Sequence, residues 1–212
     1  ASLALAGIMA VSMLAGCNGS TDPEEPSSSS QVPTTTDVVA YANDVLSGAQ
    51  KEVYTFHNSE ELNKALQTVA TNKSKCTAAK IENAYNQYAY ASHRGDLTND
   101  VKNGMSGTFV SAYNDPTNND FAGLLPTNNE KTLKYIEVSM LSGELSEKAV
   151  AEITAEYFAG YMNQLPNDDG NYELSYSADI STIKVTSPQN SAKSAWVVAV
   201  MITKTATEAA NV

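Results

Sequence analysis

Ala195-Trp196-Val197-Val198-Ala199-Val200-Met201-Ile202-Thr203-Lys204-Thr205 is the stretch from which the rest of the chain is best read. Its β-branched and aromatic residues, with Trp196, Val198, Val200 and Ile202 on one side at period two, predict a strand. Two further alternating segments precede it: Tyr172, Leu174 and Tyr176 interleaved with Glu173 and Ser175, and then Ile180 to Thr186. The Asp/Asn/Gly and Ser/Pro/Asn turns between them are too short for parallel crossovers, so an antiparallel meander is expected. Upstream, Ser146 offers an N-cap to a helix whose Val150, Ile153, Tyr157 and Tyr161 form one stripe, widened by Phe158, Met162 and Leu165. Lys131 to Met140 alternates again, with Ile136, Val138 and Met140 on one side. This half of the chain reads β-α-β-β-β.

The period is different towards the N-terminus. Val38, Ala42, Val45, Ala49, Val53 and Phe56 recur at spacings of three and four after the cap Thr36-Asp37, with Gly48 as a kink. Ser59 caps a second helix with Glu60 and Glu61 in its first turn and Leu62, Leu66 and Val69 on its apolar face. A third helix is expected from Lys75 to His93, carrying Ala78, Ile81, Tyr85, Tyr88 and Ser92 on one stripe. A fourth, weakened by Gly104 and Gly107, holds Val101, Met105, Phe109 and Ala112. The fold class is therefore α+β: a helical N-terminal half of three to four helices, then the β-α-β-β-β antiparallel-sheet half.

Composition limits the partners. The chain has a formal charge of −11; taking Asp22, Glu24 and Glu25 from its 24 acids leaves 21 against 13 Lys and Arg, or −8. Such a surface disfavours nucleic acid, anionic headgroups and acidic wall polymers; cationic ligands or simple solubility fit it better. Charged residues make up 17%, against roughly 25% in ordinary soluble domains, and 11 Tyr supply part of the polar surface. Only two cysteines occur, Cys17 and Cys76.

Motifs for chemistry are sparse. His57 and His93 are the only histidines, and no zinc-ligand spacing, G-x-S-x-G, Ser-x-x-Lys or phosphate-cradling loop occurs. No metal or cofactor is expected. Glu137, Glu152 and Glu156 are the acids from which a glycosidase-like pair would have to be built. Tyr85, Tyr88 and Tyr90 form a candidate ligand-stacking surface, against the reading that they are core contacts. Arg94-Gly95-Asp96 is the tripeptide of adhesive loops, here at an expected helix end. Asn167-Asp168-Asp169-Gly170-Asn171 reads as a helix-to-strand turn, because a calcium loop aligned on Gly170 would put Leu165 and Tyr176 at ligand positions. The loop from Asp115 to Asp120 carries two acids and, with Asn114 just before it, three Asn, a weak candidate for calcium.

The N-terminus supplies an address. Leu3 to Ala15 is apolar and uncharged, within the roughly 7–15 residues of a signal-peptide core and short of the roughly 20 that span a bilayer. It closes on Leu14-Ala15-Gly16-Cys17, which resembles the lipobox of bacterial lipoproteins. The resemblance covers residues 1–17 and implies cleavage before Cys17 and a diacylglyceryl group on its sulfur, a two-chain anchor. No Met, Lys or Arg precedes the run, so the sequence is expected to begin inside a longer precursor. Residues 18–36, NGSTDPEEPSSSSQVPTTT, form an expected disordered tether with a span of about 22–26 Å. The expected organisation is thus signal peptide 1–16, lipidated Cys17 and tether to 36, and one α+β domain over 37–212.

The expected function is that of a lipid-anchored extracytoplasmic protein, a noncovalent binding or envelope-scaffold module with an envelope glycan or protein partner. A cell-envelope hydrolase using paired carboxylates is one alternative, and a subunit of a surface assembly is another.

Overall fold

In the computed structural model, residues 35–87, 92–110, 121–126 and 131–209 are described. The elements run α1 (Thr35–Asp44), α2 (Gly48–Val53), β1 (Phe56–His57), α3 (Glu60–Ala70), α4 (Ala78–Asn86), β2 (Ser92–His93), α5 (Gly95–Asn103), β3 (Thr132–Ser142), α6 (Glu147–Met162), β4 (Tyr172–Thr186) and β5 (Ser194–Glu208). The α+β class stands, with helices preceding the main strands. The sheet has the order β1-β4-β5-β3-β2. β5 pairs antiparallel with β4 and β3, and β3 antiparallel with β2. β1 lies parallel to β4, so the sheet is mixed.

Helices cover both faces of this sheet. One face of β5, with Trp196, Val198, Val200 and Ile202, packs in a core shared with α1 and α6 through Val38, Ala42, Val150, Ala155 and Phe158. The other, with Val197, Ala199 and Met201, packs against Leu62, Leu66, Ile81, Leu97 and Val101 of α3, α4 and α5. A strand covered on both sides loses the in/out contrast of a half-exposed one, which is why β5 is apolar at almost every position. The helical and sheet segments are therefore interleaved layers rather than two adjacent halves. The described residues belong to one compact unit.

Four sequence expectations shift. The strands expected at Tyr172–Tyr176 and Ile180–Thr186 are one, β4, whose pairing with β5 runs unbroken from Tyr172 opposite Glu208 to Thr186 opposite Ser194. Ser177 and Asp179 do not interrupt it, because Leu174, Tyr176, Ala178 and Ile180 continue the buried face across them. The main pattern is accordingly β-α-β-β. The first helix is broken rather than kinked at Gly48: Ser47 starts α2 with a capping box to Gln50, and Phe56 joins the sheet. The third helix ends at Asn86, and Ser92 and His93 form the edge strand β2. The fourth begins at Gly95 and stops at Asn103, leaving Phe109 to bridge Lys134 of β3. The second helix and α6 begin at Ser59 and Ser146, whose side chains accept from Leu62 and Ala149 backbone N–H groups as their sequence positions predict.

Beyond the end of α6, the buried face of β5 carries Lys204, which is 0% exposed. Its ammonium donates to the carbonyls of Phe121, of Ala122 at 3.1 Å and of Leu124 at 2.9 Å, and lies 5.0 Å from the Phe121 ring centre. Burial pushes its pKa down to about 8, yet three carbonyls and a ring face give the charge what water would have given. Lys204 thereby fastens residues 121–126 over the core, where Phe121 packs on Tyr135 and Tyr176. Replacing it by Met strands three carbonyls: Lys204→Met is expected to cost about 3 kcal/mol, read as a lowered urea midpoint at an unchanged m-value. A midpoint equal to wild type would show that the ammonium does not hold the segment.

Candidate functional site

On the α6 side of β3, alternate residues Tyr135, Glu137 and Ser139 line up at period two. Glu137 lies opposite Val200 in the middle of the ladder, an apolar setting for a carboxylate. Its oxygens are held. Oε1 meets His93 Nδ1 at 2.5 Å, and Oε2 accepts from the Tyr135 hydroxyl at 2.7 Å. The Ser139 hydroxyl lies 3.2 Å from Oε1 and 3.3 Å from His93 Nδ1. His93 is carried by β2, whose antiparallel pairing sets it beside Ser139. The imidazole is about half exposed, at 49%, while the Glu137 side chain retains only 11%. Hydrogen bonding to Glu137 holds the His93 pKa above its ordinary value, outweighing desolvation.

From α6, Tyr157 and Tyr161 complete the rim. The Tyr157 ring lies 5.3 Å from His93 and 5.0 Å from Tyr161, and the Tyr161 hydroxyl donates to that of Tyr157 at 3.2 Å. Beneath them, between α6 and the sheet, is a cavity of about 10 Å³ lined by Glu137, Ser139, Val198 and Val200 on one side. Thr154, Tyr157 and Phe158 close it on the other.

Serine, histidine and glutamate together invite comparison with a nucleophilic triad, and the geometry argues against one. In a triad the imidazole uses two nitrogens, one for the hydroxyl it deprotonates and one for the carboxylate that orients it. Here Ser139 and Glu137 share Nδ1, so His93 cannot act as base for Ser139 while Glu137 holds it. What the cluster offers is a polar, aromatic rim around a small recess.

The residues singled out in the sequence are scattered. Tyr85 stands away from this rim: its hydroxyl donates to Glu144 at 2.8 Å and Lys193 lies over its ring at 5.9 Å, so it ties α4 to two turns. Tyr88, Tyr90, Cys17 and the loop from Asp115 to Asp120 lie outside the described residues. Tyr54, Tyr135 and Tyr176 are buried. Of the three candidate acids, Glu152 pairs with Lys148 at 3.7 Å, Glu156 is exposed, and Glu137 bonds His93, Tyr135 and Ser139 instead. Arg94-Gly95-Asp96 opens α5 instead of forming a free loop, with the Asp96 carboxylate bonded to Lys80. Asp169 accepts from the N–H groups of Asn171 and Tyr172, the turn expected there. Cys76 precedes α4 rather than lying within a helix; it is buried, and desolvation pushes its thiol up to about 11, which suits packing rather than attack.

The His93–Glu137 pair was not foreseeable from spacing, since 44 positions separate the two residues. The available signal was Glu137 itself, an acid at the centre of an apolar alternation. Among the described residues no group of His, Cys, Asp and Glu is placed to hold a metal, and no helix is long and apolar enough to cross a membrane. No protein-family model, curated protein or solved structure matches the chain.

The pair predicts a pH dependence. A histidine whose folded pKa lies above its unfolded value near 6.5 contributes stability fully below 6.5, and that contribution is lost as pH rises through the raised value. Thermal melts between pH 5.5 and 9 should therefore converge for wild type and His93→Gln at the alkaline end and separate at the acidic end. Parallel curves would contradict the assignment.

Proposed function

We propose that this protein is a lipid-anchored extracytoplasmic module that binds an envelope component noncovalently, at the rim formed by His93, Tyr157 and Tyr161. The lipobox resemblance at Leu14-Ala15-Gly16-Cys17 supports the location, and the polar residues 18–34, ahead of α1 at Thr35, supply a short tether. The observation that carries the binding reading is the arrangement around Glu137. Its oxygens are occupied by His93, Tyr135 and Ser139, and the hydroxyl and carboxylate compete for one imidazole nitrogen. That arrangement fixes the imidazole as a rigid recognition surface beside two tyrosines and leaves it poorly arranged for nucleophilic attack. Tyrosine supplies contact area and a hydrogen-bonding tip at low entropic cost, the property binding surfaces exploit. The envelope-hydrolase reading would need a second carboxylate facing Glu137, and Glu152 and Glu156 do not supply one among its partners.

Two measurements test the proposal. In cells, wild type should take up an alkyne-bearing fatty acid and sediment with membranes, whereas Cys17→Ser should be unlabelled and released; a labelled Cys17→Ser chain would refute the anchor. In co-sedimentation with purified peptidoglycan, Tyr161→Ala should bind about tenfold more weakly than wild type, the scale of one aromatic anchor. Equal retention of both proteins would remove the rim from the binding surface.

A further inference from the structure

The recess behind the rim has a chemistry of its own. Its wall is made of Val198 and Val200 from β5 and Phe158 from α6, and its size admits about one water or one methyl group. A bound water needs two to four polar partners, and the surface that faces the recess is almost wholly apolar. Thr154 donates to the carbonyl of Val150 at 2.8 Å, Ser139 is within bonding distance of Glu137 and His93, and both Glu137 oxygens have partners. An apolar lining with satisfied polar neighbours favours an apolar occupant. Beside the recess, the half-exposed imidazole is bonded to Glu137 and Ser139 of its lining and has Nδ1 committed to Glu137, which leaves Nε2 as the polar handle beside the Tyr157 and Tyr161 rings.

We infer that the β3–α6 recess is a socket for the methyl of an acetamido group, making the ligand an N-acetylated amino sugar of an envelope glycan. The inference rests on the binding reading above and adds the ligand class. Three parts of the ligand meet three parts of the site. The acetamido methyl enters the recess between Val198, Val200 and Phe158. The amide or a neighbouring hydroxyl bonds His93 Nε2, and the sugar ring packs its apolar face on Tyr161. Glu137 is engaged by His93, Tyr135 and Ser139 rather than offered to the ligand, which suits a neutral sugar. A free amine in place of the acetamide would carry a hydrated cation to an apolar recess, and a plain hydroxyl would leave the recess unfilled.

The full chain carrying Cys17→Ser, which keeps it in solution, is titrated by calorimetry with tri-N-acetylchitotriose, its de-N-acetylated counterpart and cellotriose. The N-acetylated trimer should bind at least tenfold more tightly than the other two. Nuclear Overhauser effects should connect its acetyl methyl to the methyls of Val198 and Val200. Val200→Leu, which fills the recess, should erase the preference, and the Overhauser contacts keep the test decisive if that variant folds poorly. Equal, Tyr161-dependent binding of all three trimers would overturn the socket while leaving the binding module intact. Contacts from the methyl of D-alanyl-D-alanine in place of the sugar would overturn the ligand class. No binding of any saccharide would overturn the socket, and retention on peptidoglycan in the co-sedimentation assay would then decide whether the binding module survives it.

Discussion

The pairing of β5 on both edges and its burial on both faces is the constraint on which the other elements depend. Ser194–Glu208 runs antiparallel to β4 over its whole length and to β3 along Thr132–Ser142. Its backbone groups are therefore satisfied within the sheet, which is what permits an almost uninterrupted apolar strand to leave water. Each face then needs its own cover. Helices α1 and α6 supply one, and α3, α4 and α5 the other. The chain places its helices on both sides because one layer would leave Val197, Ala199 and Met201, or else Trp196, Val198 and Val200, in contact with solvent.

Where cover by helix ends, polar side chains take over. At one end of the α6 face, Lys204 gathers the carbonyls of residues 121–124 and holds Phe121 against Tyr135 and Tyr176. Nearer the β2 edge, Glu137 occupies a core position and is kept there by a histidine, a tyrosine and a serine. Tyr135 belongs to both arrangements, its ring against Phe121 and its hydroxyl on Glu137. Burying an unpaired carboxylate would be costly, so the cluster is a condition for Glu137 being in the sheet at all. The same condition orients the imidazole towards the rim, so packing and recognition share one set of hydrogen bonds.

Local signals in the chain were legible wherever a residue acts on its near neighbours. Ser59 and Ser146 each cap the helix that follows, Asp169 closes its turn, and the alternation of Lys131 to Met140 and Ala195 to Thr205 yields strands. They misled where a longer contact outweighs a local cue. Ser177 and Asp179 look like a break, but a continuous ladder with β5 carries β4 through them. Ser92 and His93 continue a helical stripe on paper, yet β3 offers an open edge and takes them as β2. Phe56 fits a helix face and is drawn instead beside Ala178.

The sequence by itself determined the α+β class, the starts of the helices capped by Ser59 and Ser146, the acidic balance and the absence of zinc-ligand and nucleotide-binding motifs, because composition, caps and periodicity are properties of neighbouring residues. Tertiary structure alone decided that the helices sandwich the sheet and that Lys204 serves the core rather than the surface. It also decided that His93 meets Glu137 across 44 positions while Tyr85, singled out by its spacing, is engaged elsewhere with Glu144. Those outcomes follow from which edges and faces remain to be paired once β3, β4 and β5 have come together, and no short window of residues contains that information.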